Sequence, residues 1–200
     1  PIGFGTVWLT PRLREFGELY PDIRVELILN DDQVDIGMRA ADAAIWTREP
    51  EQADLIRRPL FESRVRAFAS APYIRKYGTP KTLADLDQHR IIGYTGPSAQ
   101  HLDAMSWIET AGRDNGHPRD TALRVNSVVA INYAIRAGIG IGMIPDYLAD
   151  ELNDLVPVLT EIEQPSLNMV YAYPEELKSS KKVQLLRDFL LSKIAKNRGS

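Results

Sequence analysis

Leu9, Leu13, Phe16 and Tyr20 recur at the spacing of one helical face. Thr10 and Pro11 mark the start of that helix as cap and first helical residue, because a proline deeper inside would remove a hydrogen bond and clash with the preceding turn. Pro21 marks its end, and the small residues of Pro1-Ile2-Gly3-Phe4-Gly5-Thr6 form a loop ahead of it. Ile23, Val25, Leu27 and Leu29 then alternate with Arg24, Glu26 and Ile28, which predicts a strand. Asn30-Asp31-Asp32 caps a short helix over 33–40, and 43–46 reads as a short buried strand. Strands are expected over 55–61, 65–70 and 90–94, with short helices over 72–77 and 82–87. Thr95-Gly96-Pro97-Ser98 is a turn cluster, and 99–121 is polar and irregular, with a short strand at Trp107-Ile108. A strand over 122–125 leads to Asn126-Ser127, which caps a helix running to Ala137 and stopped by Gly138. A buried strand follows over 139–144, ended by Pro145, and then a short helix to Leu152. Strands over 156–159 and 169–173 precede a last helix striped by Val183, Leu186, Leu190 and Ile194. Strands alternating with helices predict an α/β fold with a mostly parallel sheet.

Composition removes several classes. The 200 residues are 44% hydrophobic and 26% charged, ordinary for a globular protein. The longest stretch without Asp, Glu, Lys or Arg is Ile91–Leu102, far short of the ~20 apolar residues that span a membrane. Without cysteine there is no disulfide scaffold, thiol nucleophile or Cys-based zinc site. No charged segment followed by an apolar one opens the chain, so no secretory signal is visible. The net charge is −3, yet Lys178, Lys181, Lys182, Arg187, Lys193, Lys196 and Arg198 crowd the end against the single acid Asp188. That cluster reads as the solvated face of a terminal helix, and the acidic body argues against DNA binding by this chain itself.

Candidate chemistry narrows to two loops. His89, His101 and His117 stand apart, none at metal-ligand spacing and none in a hydrolase motif. Asp31, Asp32 and Asp35 suit a helix start better than a calcium loop. Gly138-Ile139-Gly140-Ile141-Gly142 follows a helix and enters a strand, the reverse of a dinucleotide fingerprint, so it reads as a helix stop plus close backbone approach. What remains is the loop Gly3–Thr6 and the helix start at Asn126-Ser127, where exposed N–H groups either bind an anion or are capped by their own side chains. Thr6, Thr95, Ser98 and Ser127 have no histidine beside them in sequence, so an enzyme would need acid and base groups that converge from distant residues.

Several segments in order resemble the effector-binding region of LysR-type transcriptional regulators. Leu19-Tyr20-Pro21-Asp22-Ile23-Arg24-Val25-Glu26-Leu27 is similar to the family's "RYPDVRLEL". Asp32 to Asp35 with Asp42-Ala43-Ala44-Ile45, Ala69-Ser70-Ala71-Pro72-Tyr73, Tyr77-Gly78-Thr79-Pro80 and Leu83-Ala84-Asp85-Leu86 with His89-Arg90 resemble its next motifs. Val125-Asn126-Ser127 and Ala137-Gly138-Ile139-Gly140-Ile141-Gly142-Met143-Ile144-Pro145 resemble "V-N-D/S" and "A-G-x-G-I-A-x-L-P". The likeness covers nearly the whole chain. The family's winged helix-turn-helix would lie upstream of residue 1, and its first strand normally precedes the loop at Pro1.

The resemblance implies a periplasmic-binding-protein-like fold (type II) of two α/β subdomains, 1–64 with 161–200 and 65–160. Two crossovers would join them, near Val65–Ser70 and Thr160–Pro165. It implies an effector cleft walled by Gly5, Thr6, Trp46 and Thr47 on one side and by Thr95, Gly96, Pro97, Ser98, Asn126 and Ser127 on the other. The family often has Arg where Trp46 stands, so an effector with an apolar or ring portion is favoured over a strongly anionic one. It further implies a cytoplasmic sensor that is not an enzyme, needs no cofactor and touches no membrane. That sensor would be a homodimer or higher homo-oligomer and would meet DNA only through the N-terminal domain. Pairing would be antiparallel, with 10–20 and 23–29 facing 127–137. A solute-binding protein of the same fold is the alternative.

Overall fold

A computed structural model describes residues 1–31, 41–47, 54–95, 103–113, 117–150 and 154–197. The expected helix over 33–40 lies outside the described residues. The chain forms two compact units. The first comprises Gly3–Glu62 and Asn168–Ser200 with Pro1, and the second Ser63–Leu167 with Ile2.

The first unit opens with a helix. A π-helical stretch, Phe4–Leu9, runs straight into α1 (Thr10–Leu19), so the expected loop over Gly3–Thr6 is helical instead. Proline explains the widened turn. Pro11 has no N–H to give to the carbonyl four residues back, and its ring would strike it. The wider register carries the Thr10 N–H to Gly5 O, and Thr10 Oγ1 donates to the same oxygen at 2.6 Å. Phe4 stacks on Trp8 at 4.8 Å between centroids, and Phe16 meets Phe189 edge-on at 5.2 Å. Strand β1 (Ala44–Trp46) pairs antiparallel with the last strand, Ala44 opposite Ala172. Ile23–Leu29, expected as a strand, is extended chain without a ladder partner among the described residues.

Strand β2 (Leu55–Ser70) is one continuous strand rather than the expected two. It passes from the first unit to the second at Glu62–Ser63. In the second unit follow α2 (Ala71–Tyr77), capped by Ser70, a 3₁₀ turn over Ala84–Gln88, β3 (Ile91–Tyr94) and α3 (Asp103–Thr110). Then come β4 (Thr121–Val125), α4 (Val128–Arg136), β5 (Ile141–Pro145), α5 (Asp146–Asp150) and β6 (Leu155–Pro157). Strand β7 (Ser166–Pro174) returns the chain to the first unit, where α6 (Lys181–Asn197) closes it. The α3 helix replaces the irregular stretch and short strand expected around Trp107.

The sheet is mixed, not mostly parallel. β3 pairs parallel with β4 and β5, while β2 pairs antiparallel with β5 and β6. Ile91, Ile92, Ile141, Met143 and Ile144 are wholly buried, as central parallel strands covered on both faces should be. The two covers follow from the period of two. Ile92 pairs with Gly142, so Gly93 points to the other face. A Cβ on Gly142 would meet Ile131 and Ile135 of α4, and one on Gly93 would meet Glu109 of α3. The two helices therefore cover opposite faces.

Candidate functional site

Direction reverses at β3. The connection through α3 places β4 on one side of it, and the connection through α4 returns to place β5 on the other. The carboxyl ends of strands at such a switch are where open α/β sheets hold ligands. Tyr94 pairs with Val125, and the Thr95 N–H donates to Val125 O at 3.0 Å, so Thr95 and the Asn126-Ser127 turn sit side by side. Thr95 and Asn126 are exposed, and Ser127 is half-buried. Ser127 is the N-cap of α4, its hydroxyl accepting from the Ala130 N–H at 3.4 Å. Self-capping is thus realised there, and one hydroxyl proton stays to be donated. Gly96, Pro97 and Ser98 lie outside the described residues.

In the first unit, Gly5 is buried and its backbone is fully engaged. Its N–H donates to Pro1 O at 3.0 Å, and its carbonyl accepts from Thr10. The anion-binding loop expected at Gly3–Thr6 is therefore not formed, because the helix has consumed those groups. Thr6 is exposed on the helix surface. Trp46 ends β1 at 8% exposure, packed with Leu55 and Ala172, and Thr47 follows half-buried. Gly5 and Trp46 border one open groove of this unit, together with the chain from Val25 to Asn30.

A charged pair beside the β3–β4 ends escaped the sequence reading. Glu109 of α3 is buried, and its Oε2 lies 2.9 Å from the Arg124 guanidinium, which also donates to Tyr94 O at 3.2 Å. The other oxygen, Oε1, has no hydrogen-bond partner. The pair ties α3 to both strand ends. Its signal in the sequence is weak, since an acid between apolar residues breaks the stripe that would announce a helix. Burial pushes the Glu109 carboxyl up, while Arg124 pulls it down. A carboxyl raised in the folded state binds its proton there over a pH window where the unfolded chain has lost it, so stability falls as pH rises through that window. Replacing Arg124 with Gln removes the opposing cation. The expected result is a loss of stability that continues further as pH rises above the ordinary carboxylate range, removed again by Glu109→Gln in the same background. Urea unfolding from that range upward in pH checks it, and equal slopes in all variants would refute it.

Among the described residues no three His, Cys, Asp or Glu side chains gather as a metal ion requires, and no helix is long and apolar enough to cross a membrane.

A family model, "LysR substrate binding domain", matches residues 1–195. The HTH-type transcriptional regulator CrgA of Neisseria meningitidis is 27% identical over 195 residues, covering 94% of this chain and 63% of its own length. YhjC of Escherichia coli, an uncharacterized HTH-type transcriptional regulator, is 30% identical over 95% of this chain and 64% of its own. The chain thus spans a little under two thirds of these relatives. The solved CrgA regulatory domain superposes with a TM-score of 0.81 at 25% identity, covering 96% of this chain and 95% of that one. The effector domain of AmpR from Pseudomonas aeruginosa shares the fold at a TM-score of 0.75 and 21% identity, covering 98% and 94%. The fold is the periplasmic-binding-like α/β fold, and the chain belongs to the LysR substrate-binding domains, the regulatory domains of LysR-type transcriptional regulators.

Proposed function

We propose that this chain senses a small-molecule effector and, in the longer protein, passes binding on to an N-terminal DNA-binding domain. The observation that carries the reading is the paired polar strand ends, Thr95 beside Asn126-Ser127 at the switch point, in a chain matched by the family model over residues 1–195. The remaining contacts are assigned to Gly96, Pro97 and Ser98, which follow Thr95 in sequence, and to Thr6, Trp46 and Thr47 of the first unit, while Gly5, its backbone groups engaged within the helix, has none left to offer. Trp46 offers an indole edge, so the effector carries an apolar or ring portion. A binding role fits the family better than catalysis. The regulator acts in the bacterial cytoplasm as a homodimer. Tyr133 of α4 at 65% exposure and Leu19 of α1 at 55% are large apolar residues suited to that contact.

A thermal-shift screen of small aromatic and aliphatic acids, amides and alcohols against this chain tests the reading. A compound that raises the melting temperature should lose affinity roughly tenfold in Thr95→Val with Ser127→Ala, because two hydroxyl partners go, each contributing about 0.5–1.5 kcal/mol. Trp46→Phe should lower stability by about 1 kcal/mol, since the indole packs on Leu55 and Ala172, and should weaken the same compound. Unchanged affinity in the double variant places the pocket elsewhere.

A further inference from the structure

Gly93 is paired with Arg124 in the parallel ladder, and Thr95 follows Gly93 by two, so all three stand on the sheet face that α3 covers. The Thr95 N–H is directed to Val125 O, which turns the Tyr94 carbonyl of the same peptide away from β4. Arg124 nevertheless donates to that carbonyl at 3.2 Å, so its side chain lies across the Tyr94–Thr95 peptide, beside the exposed Thr95. The Arg124 side chain is 47% exposed, while Glu109, the carboxylate it holds at 2.9 Å, is buried. The guanidinium is thus a two-sided cation. Its inner edge serves Glu109 and Tyr94 O, and its outer edge meets solvent next to Thr95.

Glu109 depends on that one cation. Its Oε1 has no hydrogen-bond partner and rests over bare backbone, where a Cβ on Gly93 would stand 2.8 Å from Oε1 and 2.9 Å from the Thr121 methyl. Asp87, Arg113 and Arg119, the nearby ionic groups around the end of α3, bind one another instead. Burial works against the ionised carboxyl, while Arg124 and the Tyr94 N–H support it. A second anion on the outer edge of Arg124 would share that support and add like charge, and both effects favour the protonated form.

Taking Thr95 as an effector contact, as in the reading above, we infer that Arg124 is the anion anchor of the effector site, that the effector is a carboxylic acid, and that Glu109 takes up a proton as the effector docks. The step balances as the Glu109 carboxylate plus one solvent proton giving the neutral acid, with Arg124 carrying the charge that the effector brings. The guanidinium already holds one carboxylate, and its planar fork can take a second on the remaining edge, with the Thr95 hydroxyl as a further donor. A neutral amide or alcohol would bring no charge and leave Glu109 ionised. One acid group suits the indole of Trp46, since the rest of the effector stays apolar or ring-bearing.

Acetate is the probe, with chloride at equal ionic strength as the control. In NMR spectra the Thr95 amide and the Arg124 Nε–H should shift with acetate and not with chloride. The Glu109 carboxyl carbon should titrate higher in acetate by roughly half a pH unit or more. Arg124→Gln should abolish the acetate shift at Thr95. It is made also together with Glu109→Gln, which leaves no unpaired charge buried should the single variant fail to fold. An acetate response equal to that of chloride overturns the proposal, as does one that survives the loss of Arg124 or leaves the Glu109 midpoint unmoved. Compounds found by the thermal-shift screen separate this anchor from the sensing role. If one that responds to Thr95→Val with Ser127→Ala binds as well as its amide as it does as its acid, the effector site stands and the acid anchor falls. If acetate binds through Arg124 while no screened compound responds to those substitutions, the anion site stands and the sensing role falls.

Discussion

Replacing Arg119 with Met should cost about 3–5 kcal/mol, the range for breaking a buried charge network, and lower the melting temperature by roughly 10 °C. The side chain is 3% exposed and every arm of its fork is engaged. Nε donates to Asp87 Oδ1 at 2.7 Å, one terminal nitrogen to Ile108 O and Ala111 O at 3.0 and 2.8 Å, and the other to Leu83 O at 2.9 Å. One cation thus closes the end of α3, the turn before Ala84 and the chain leading to β4. Met fills the volume but takes the guanidinium away from the Ile108, Ala111 and Leu83 carbonyls, of which Leu83 O keeps the Leu86 N–H at 3.3 Å, and each unmet buried group costs about 1–3 kcal/mol where water does not reach it. Arg119→Lys should fall in between, since a point charge cannot serve divergent acceptors. Asp87→Asn should cost less, because that carboxylate is 41% exposed and water replaces part of the loss. Equilibrium unfolding in urea ranks the three, and a loss below about 1 kcal/mol for the Met variant would refute the account.

Gly140→Ala is expected to cost about 3 kcal/mol, the upper end for forcing atoms into a packed interior. A Cβ there would stand 2.3 Å from Arg90 O and 2.9 Å from Arg90 C. Neither atom can retreat. Arg90 O accepts the Ile141 N–H at 2.8 Å, and the next residue, Ile91, is wholly buried in β3. Two positions earlier the reason for glycine differs. Gly138 has φ +73°, and a Cβ added to it would find open room, meeting only Ser70 Oγ at 3.6 Å. Gly138→Ala should therefore cost only about 1–2 kcal/mol, the strain of a left-handed alanine. Thermal or urea unfolding separates the two, and reversal of the order would refute the assignment.

That contrast shows what a sequence discloses. The run Gly138-Ile139-Gly140-Ile141-Gly142 follows a helix, and its place in the chain sufficed to read it as a stop and a close approach, both of which the structure contains. The helical stripes through Phe16 and Leu190 were equally legible, because a 3.6-residue period requires only a local pattern. Three features were not. Glu109 hides α3, since its burial depends on Arg124, distant in sequence. Glu62-Ser63-Arg64 looks like a break but lies within one strand, where β2 changes units. Alternation over 23–29 states a preference for a sheet and cannot supply a partner. Of the candidate site, Thr95 and Ser127 were readable as residues after strands. Their adjacency came only with the parallel pairing of β3 and β4. The helical state of Gly5 and Thr6 was hidden by Pro11, which a widened turn accommodates.

The division of the chain also orders its synthesis. The second unit is one unbroken run, Ser63–Leu167, and each of its parallel strands finds its neighbour within a single helical crossover or two. The first unit is assembled from both ends, with Ala44 waiting for Ala172. Closing so long a loop is entropically slow, and it is impossible before the last segment has left the ribosome. During translation the second unit can mature while the first holds β1 and the apolar 23–29 segment unpaired, a period in which a chaperone has most to protect.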